Sequence, residues 1–114
     1  MSWGHAVSRD LLHWEQKDDV LFPDETGTMF SGSGIVNDRK MLGLPEDTVI
    51  FFYTADGNNN KWSAGKQFTQ CIAYSTDLLK WEQTDGVRHA AYINKMAYAA
   101  QTYSNTGNLC MTVQ

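Results

Sequence analysis

At 114 residues the chain has room for one small domain, which would bury roughly 65% of its unfolded surface, and none for a second full domain. Its 42% hydrophobic, 12% aromatic and 19% charged residues are those of a chain that folds. A net charge of -4 with nine scattered basic residues argues against a nucleic-acid partner, and no run of roughly 20 apolar residues exists to span a bilayer, so no membrane partner is expected.

Short apolar runs closed by turn residues predict an antiparallel β protein, with no amphipathic helix before residue 88. Strands are predicted at residues 3–8, 29–36, 48–54 and 68–75, each rich in β-branched or aromatic side chains, with shorter ones at 14–16 and 81–83. Turn chemistry lies between them at Pro23-Asp24-Glu25-Thr26-Gly27, Asn37-Asp38-Arg39-Lys40 and Gly43-Leu44-Pro45-Glu46-Asp47. The middle of the chain therefore reads as a four-stranded meander with a long inserted loop over residues 55–67. The start, Met1-Ser2-Trp3-Gly4-His5, carries no secretion signal as written. Two cysteines cannot form a framework, and Cys71, inside an apolar run, is expected as a buried thiol rather than a disulfide partner of Cys110. Residues 87–114 differ in character. The Ala-rich stretch 90–100 suits a short helix, yet Asn, Tyr and Ile interrupt it, no capping box starts it, no turn signal falls at the expected places and no strand-like alternation runs through it.

One nine-residue pattern occurs twice, as Ser8-Arg9-Asp10-Leu11-Leu12-His13-Trp14-Glu15-Gln16 and, 67 positions on, as Ser75-Thr76-Asp77-Leu78-Leu79-Lys80-Trp81-Glu82-Gln83. Seven of the nine positions are identical, and a repeated unit implies repeated architecture. The differing pairs Arg9/Thr76 and His13/Lys80 are polar in both copies, as expected for solvent-facing positions around a buried Leu and Trp. Asp10 and Asp77 each follow a Ser by two residues, which suits a carboxylate capping backbone amides in a tight turn better than a catalytic acid. Trp14 and Trp81 are then expected to pack on the neighbouring sheet. A propeller blade of four antiparallel strands takes about 40 to 50 residues, so the spacing suits one blade with generous loops.

Phe30-Ser31-Gly32-Ser33-Gly34 alternates small residues with hydroxyls on a strand. Ser31 and Ser33 would face one side and Phe30 the other, leaving the backbone open to a ligand or to a bulky neighbour. No Lys-Ser/Thr follows and no helix starts, so it is not a phosphate loop, and no cofactor or metal is expected. Asp24 and Glu25 are adjacent in a turn, and Asp56 opens the loop Asp56-Gly57-Asn58-Asn59-Asn60, where a turn role suffices; none forms a catalytic pair.

Taken in order, Trp3-Gly4-His5-Ala6-Val7-Ser8-Arg9-Asp10-Leu11-Leu12-His13-Trp14, Phe30-Ser31-Gly32-Ser33, Tyr53-Thr54 and Gln70-Cys71-Ile72-Ala73-Tyr74-Ser75 resemble glycoside hydrolase family 32, the family of invertases, levanases and inulinases. The resemblance covers about residues 2 to 86 and fades near Gly86. It implies a five-bladed β-propeller that hydrolyses β-fructofuranosides with retention, a chemistry that needs two carboxyl groups about 5 to 5.5 Å apart. Such a fold would give this chain the end of one blade and most of the next over residues 1–86, with a divergent tail over 87–114. Phe30 and Ser31 resemble the pair that contacts the fructosyl unit, by ring packing and a hydroxyl hydrogen bond. Trp3 and His5 are expected to be structural, and Gln70 to be a strand residue near the pocket rim. The family's three acids lie in Asn-Asp-Pro-Asn, Arg-Asp-Pro and Glu-Cys segments, and none of these occurs in the 114 residues. The resemblance thus implies a fructose-containing saccharide as partner and an inactive isolated chain, as a broken or frameshifted gene would give. The alternative is a noncatalytic carbohydrate-binding module that self-associates through exposed blade faces.

Overall fold

A computed structural model describes residues 1–83, 101–105 and 108–112. Among the described residues eight strands run in chain order: β1 (Trp3–Ser8), β2 (Trp14–Leu21), β3 (Thr28–Val36), β4 (Val49–Asp56), β5 (Thr69–Ser75), β6 (Glu82–Gln83), β7 (Gln101–Asn105) and β8 (Asn108–Thr112). They form an antiparallel pair β1-β2, an antiparallel four-stranded meander β3-β4-β5-β6 and an antiparallel pair β7-β8. The all-β antiparallel architecture and the meander follow the sequence pattern. No helix among the described residues is long and apolar enough to cross a membrane.

The core forms where the first pair meets the meander. Leu21 from the end of β2 packs with Met29, Tyr53, Ala55, Cys71 and Ala73, and Trp3 and Val20 close over them. Each of these six is at most 5% exposed, and Cys71 is buried as its apolar run predicts. The central strand β4 is covered on both sides: Tyr53 and Ala55 join this core, while Ile50 and Phe52, of opposite parity, are also buried. That is why Val49–Asp56 reads as an almost continuous apolar run rather than an alternating one.

Two expectations change. The short strand at 14–16 is in fact the eight-residue β2, whose pairing with β1 resumes at Leu21 opposite Trp3 after an irregularity that holds exposed Asp18 and Asp19, residues that give no apolar signal; Ser2 Oγ donates to Asp19 Oδ2 at 2.6 Å. In the tail the strands β7 and β8 form a hairpin, and the Ala-rich stretch 90–100, for which a short helix was the expectation, lies outside the described residues. The leucines of the repeat are exposed, not buried: Leu11, Leu12, Leu78 and Leu79 sit at the outer corner of their turns.

The turns themselves form as the Ser-x-Asp spacing predicts. Ser8 Oγ accepts from the Asp10 and Leu11 amides at 3.3 and 2.8 Å, and Asp10 Oδ1 accepts from the Leu12 and His13 amides at 2.9 and 2.8 Å. The second copy repeats this with Ser75 on Asp77 and Leu78 at 3.4 and 2.9 Å, and Asp77 on Leu79 and Lys80 at 2.8 and 2.9 Å. Those amide bonds hold both carboxyl groups below the usual carboxylate range, the His13 amide contributing most to Asp10 and the Lys80 amide most to Asp77. The aspartates are turn formers. Their tryptophans diverge: Trp81 stacks on Phe51 of its own meander at 4.2 Å and 6° and meets His5 of the first pair edge-on, whereas Trp14 is 59% exposed, its indole N–H donating to the Leu11 carbonyl at 3.2 Å.

Candidate functional site

The site predicted from sequence lies at the start of β3, and its geometry is set by an irregularity. Met29 pairs with Ala55 and Gly32 with Tyr53, so Phe30 and Ser31 together stand opposite the single residue Thr54. This is a β-bulge, which adds one residue to a strand, breaks strict alternation and re-aims the side chains it carries. Simple alternation across Phe30 and Ser31, as read from the sequence, therefore does not apply. The two residues share the bulge, with Phe30 half-buried and Ser31 exposed. The Phe30 ring meets Phe68 edge-on at 6.1 Å, which braces it from the end of the long β4-β5 loop.

The glycines explain how the bulge can form. A Cβ on Gly32 would lie 1.9 Å from the Phe52 carbonyl oxygen and 2.6 Å from Tyr53 Cα. One on Gly34 would meet the Phe51 ring at 2.6 Å. The small residues are needed by the adjoining strand, so the bulky-neighbour reading holds for both glycines rather than close ligand approach. Ser33 is engaged as well: its Oγ accepts from the Thr102 amide at 3.0 Å and lies 2.8 Å from Thr102 Oγ1, which brings β7 beside β3.

Thr54, opposite the bulge, is fully buried, and its Oγ1 accepts from Gln70 Nε2 at 2.9 Å. Gln70, expected as a strand residue near a pocket rim, is buried here. Strand β5 is interior to the meander, and Gln70 is 2% exposed. Trp3 and His5 enter from β1. The Trp3 ring lies against Phe51 and Tyr53 at 5.3 and 6.2 Å, its Nε1 donates to the Phe30 carbonyl at 2.9 Å, and His5 meets Trp81 edge-on at 6.5 Å.

Asp24 and Asp56 serve their own loops. Asp24 Oδ1 accepts from the Thr26 amide at 2.7 Å and from the Thr26 hydroxyl, and its backbone exchanges two hydrogen bonds with Gly27. Asp56, 5% exposed, accepts from Asn59 Nδ2 at 2.5 Å. Among the described residues no three His, Cys, Asp or Glu side chains gather as metal ligands would. What the arrangement offers chemically is a braced aromatic ring beside a solvent-facing hydroxyl, a combination suited to packing on and hydrogen-bonding one sugar ring. The bulge, the Phe68 brace and the Thr102 contact were not read from the sequence; the glycine inside an apolar strand was the available signal for the first.

Comparison with known proteins bears on this geometry. The family model "Glycosyl hydrolases family 32 N-terminal domain" matches residues 1–107, a span that runs on past Gly86. The chain is 41% identical over 80 residues to the levanase of Bacillus subtilis (strain 168), covering 68% of this chain and 11% of the levanase. It is 33% identical over 91 residues to a fructan beta-fructosidase of Streptococcus mutans, covering 76% of this chain and 6% of that protein. With an invertase of Schizosaccharomyces pombe the identity is 38% over 86 residues, covering 66% and 14%. The chain thus spans only a small fraction of the length of each relative.

Proposed function

The chain belongs to glycosyl hydrolase family 32, and we propose that it supplies part of the sugar-binding wall of a β-propeller glycosidase acting on β-fructofuranosides, with Phe30 and Ser31 facing the fructosyl unit. The meander β3-β4-β5-β6 would be one blade and the pair β1-β2 the end of the preceding one, four strands being a full blade. The observation that carries the reading is the bulge: it places a half-buried aromatic ring and an exposed hydroxyl side by side on a strand whose backbone is fixed by its neighbour. The names of the relatives, levanase, fructan beta-fructosidase and invertase, support a fructose-containing substrate.

These 114 residues by themselves are proposed to bind without hydrolysing. Retaining hydrolysis needs a nucleophile and an acid/base about 5 to 5.5 Å apart, the Asn-Asp-Pro-Asn, Arg-Asp-Pro and Glu-Cys segments do not occur in the sequence, and Asp10, Asp24, Asp56 and Asp77 each bond within a local turn or loop. Nuclear magnetic resonance titration of the labelled chain with sucrose tests the binding. Saturable shifts of the residue 30–33 amides at millimolar sugar are expected, and their absence at tens of millimolar would sink the reading. Fructose release from sucrose, abolished by the Phe30→Ala, Ser31→Ala double substitution, would overturn the proposed inactivity. The exposed Leu11, Leu12, Trp14 and Phe22 support association through the first sheet, which size-exclusion chromatography with light scattering would reveal as a concentration-dependent mass.

A further inference from the structure

We infer that Trp3 is a positioning residue for the Phe30-Ser31 platform, acting through the hydrogen bond from its indole N–H to the Phe30 carbonyl. The inference rests on the proposed role of Phe30 and Ser31 in sugar contact and adds the element that aims them. A bulge takes residues out of the regular ladder, so strand pairing alone does not fix their backbone. Here the flanks are fixed by Met29 opposite Ala55 and Gly32 opposite Tyr53, while the two residues between them share Thr54. Behind the bulge, buried Thr54 is tied to Gln70, and Gly32 rests on the Phe52 carbonyl. From the N-terminal segment the Met1 carbonyl takes the Met29 amide at 3.1 Å, and the hold on the bulge residues themselves is Trp3, 27 residues away in sequence, with its Nε1 2.9 Å from the Phe30 oxygen.

The donor is itself held in place. The Trp3 ring is tilted against Phe51 at 5.3 Å and lies edge-on to Tyr53 at 6.2 Å, and it packs against the buried core. An indole pinned on these contacts cannot turn away without losing them, so its N–H is a fixed reference point. Fixing the Phe30 carbonyl fixes the peptide plane between Phe30 and Ser31. That plane sets the direction of the ring on one side and of the hydroxyl on the other. Trp3 need not touch the sugar to decide how well the two side chains fit it.

Replacing Trp3 with β-(3-benzothienyl)alanine keeps the ring's shape and removes only the donor; Trp3→Phe is the genetically encoded counterpart. In the intact chain, the amides of residues 30–32 are expected to shift and to exchange faster with solvent, while those of β5 stay as they are. Sucrose, titrated as the probe, is expected to bind about fivefold more weakly, the loss of one hydrogen bond's worth of preorganisation. Unchanged amides at residues 30–32 with unchanged sucrose affinity in the benzothienyl protein would overturn the inference, because a Trp3 that only packs loses nothing with its N–H. If the unmodified chain shows no sucrose binding, the fructosyl reading falls, and the amides of residues 30–32 alone decide whether Trp3 positions the bulge.

Discussion

Gly32→Ala is the sharpest probe of how the site is built. The added Cβ would sit 1.9 Å from the Phe52 oxygen, 2.6 Å from Tyr53 Cα and 2.8 Å from the Phe52 carbonyl carbon. All three are backbone atoms of the adjoining strand, so no side-chain rotation relieves the clash; β3 and β4 must part beside the bulge. Overpacking a fitted interior costs about 1–3 kcal/mol, and a backbone obstacle puts this case at the upper end. Stability of about 0.05–0.15 kcal/mol per residue gives a chain of this size roughly 6–17 kcal/mol, so a loss of about 3 kcal/mol is measurable without abolishing folding. At roughly 4 °C per kcal/mol, Tm should fall by about 12 °C. Urea unfolding followed by tryptophan fluorescence, with thermal circular dichroism alongside, reads both quantities. Gly4→Ala is the control, since its Cβ meets only Asp19 Oδ1 at 3.8 Å, and it should lie within about 0.5 kcal/mol of the parent. A Gly32→Ala protein as stable as that control would refute the packing account and restore ligand approach as the reason for the glycine.

Asn37→Ala should cost about 2–3 kcal/mol in urea unfolding: fully buried Asn37 donates from Nδ2 toward the carbonyls of Met41, Leu44 and Pro45 and accepts from the Met41 amide at 2.7 Å, and a loss below about 1 kcal/mol would show that other groups hold that loop. Asp10 and Asp77 have folded-state pKa values below the ordinary carboxylate value, so their stabilisation is complete above an unfolded pKa of about 3.9 and is lost as pH falls below it toward the folded values. Asp10→Ala and Asp77→Ala should therefore melt below the parent at pH 7, with the gap narrowing below about pH 4; a gap that stays constant from pH 7 to about pH 2.5 contradicts the assignment. Leu11 is exposed and left-handed at φ 65°, a conformation that costs an L-residue about 1–2 kcal/mol. Leu11→Asn should raise stability by up to about 1 kcal/mol, since Asn tolerates that region; a fall in Tm would mean that the leucine side chain has a packing partner.

What the sequence discloses here is what local chemistry decides. The limits of β1 and the Ser-x-Asp corners are legible because a strand's apolar pattern and a turn's hydrogen bonds are made within a few residues. Strand β2 is poorly legible because an exposed strand of a two-stranded sheet buries almost nothing and has no reason to alternate. Phe30 and Ser31 are visible as residue types, but their bulge depends on register with β4, more than 20 positions later, and the Trp3 bond spans 27. Strands β7 and β8 flank Thr106-Gly107, and Asn105-Thr106-Gly107-Asn108 is the sort of turn chemistry that could have signalled a hairpin in the tail.

The two copies of the repeat separate what a motif encodes from what its surroundings add. Their turn hydrogen bonds agree to within about 0.1 Å, as local geometry under the same side chains should. Their tryptophans nonetheless part company, because Trp81 finds the Phe51 ring in its own sheet while Trp14 remains largely in solvent. Phe51 in turn lies over Gly34 and against Trp3, whose indole holds the Phe30 carbonyl. A continuous chain of contacts thus runs from the second corner through Trp81, Phe51 and Trp3 to the residues proposed to meet the sugar. The corner's aspartate stays a turn former, far from any chemistry of its own. By holding the Leu79 and Lys80 amides it shapes the turn that leads into Trp81, so on the proposed reading a motif that looks purely architectural in the sequence bears on the aim of Phe30 and Ser31.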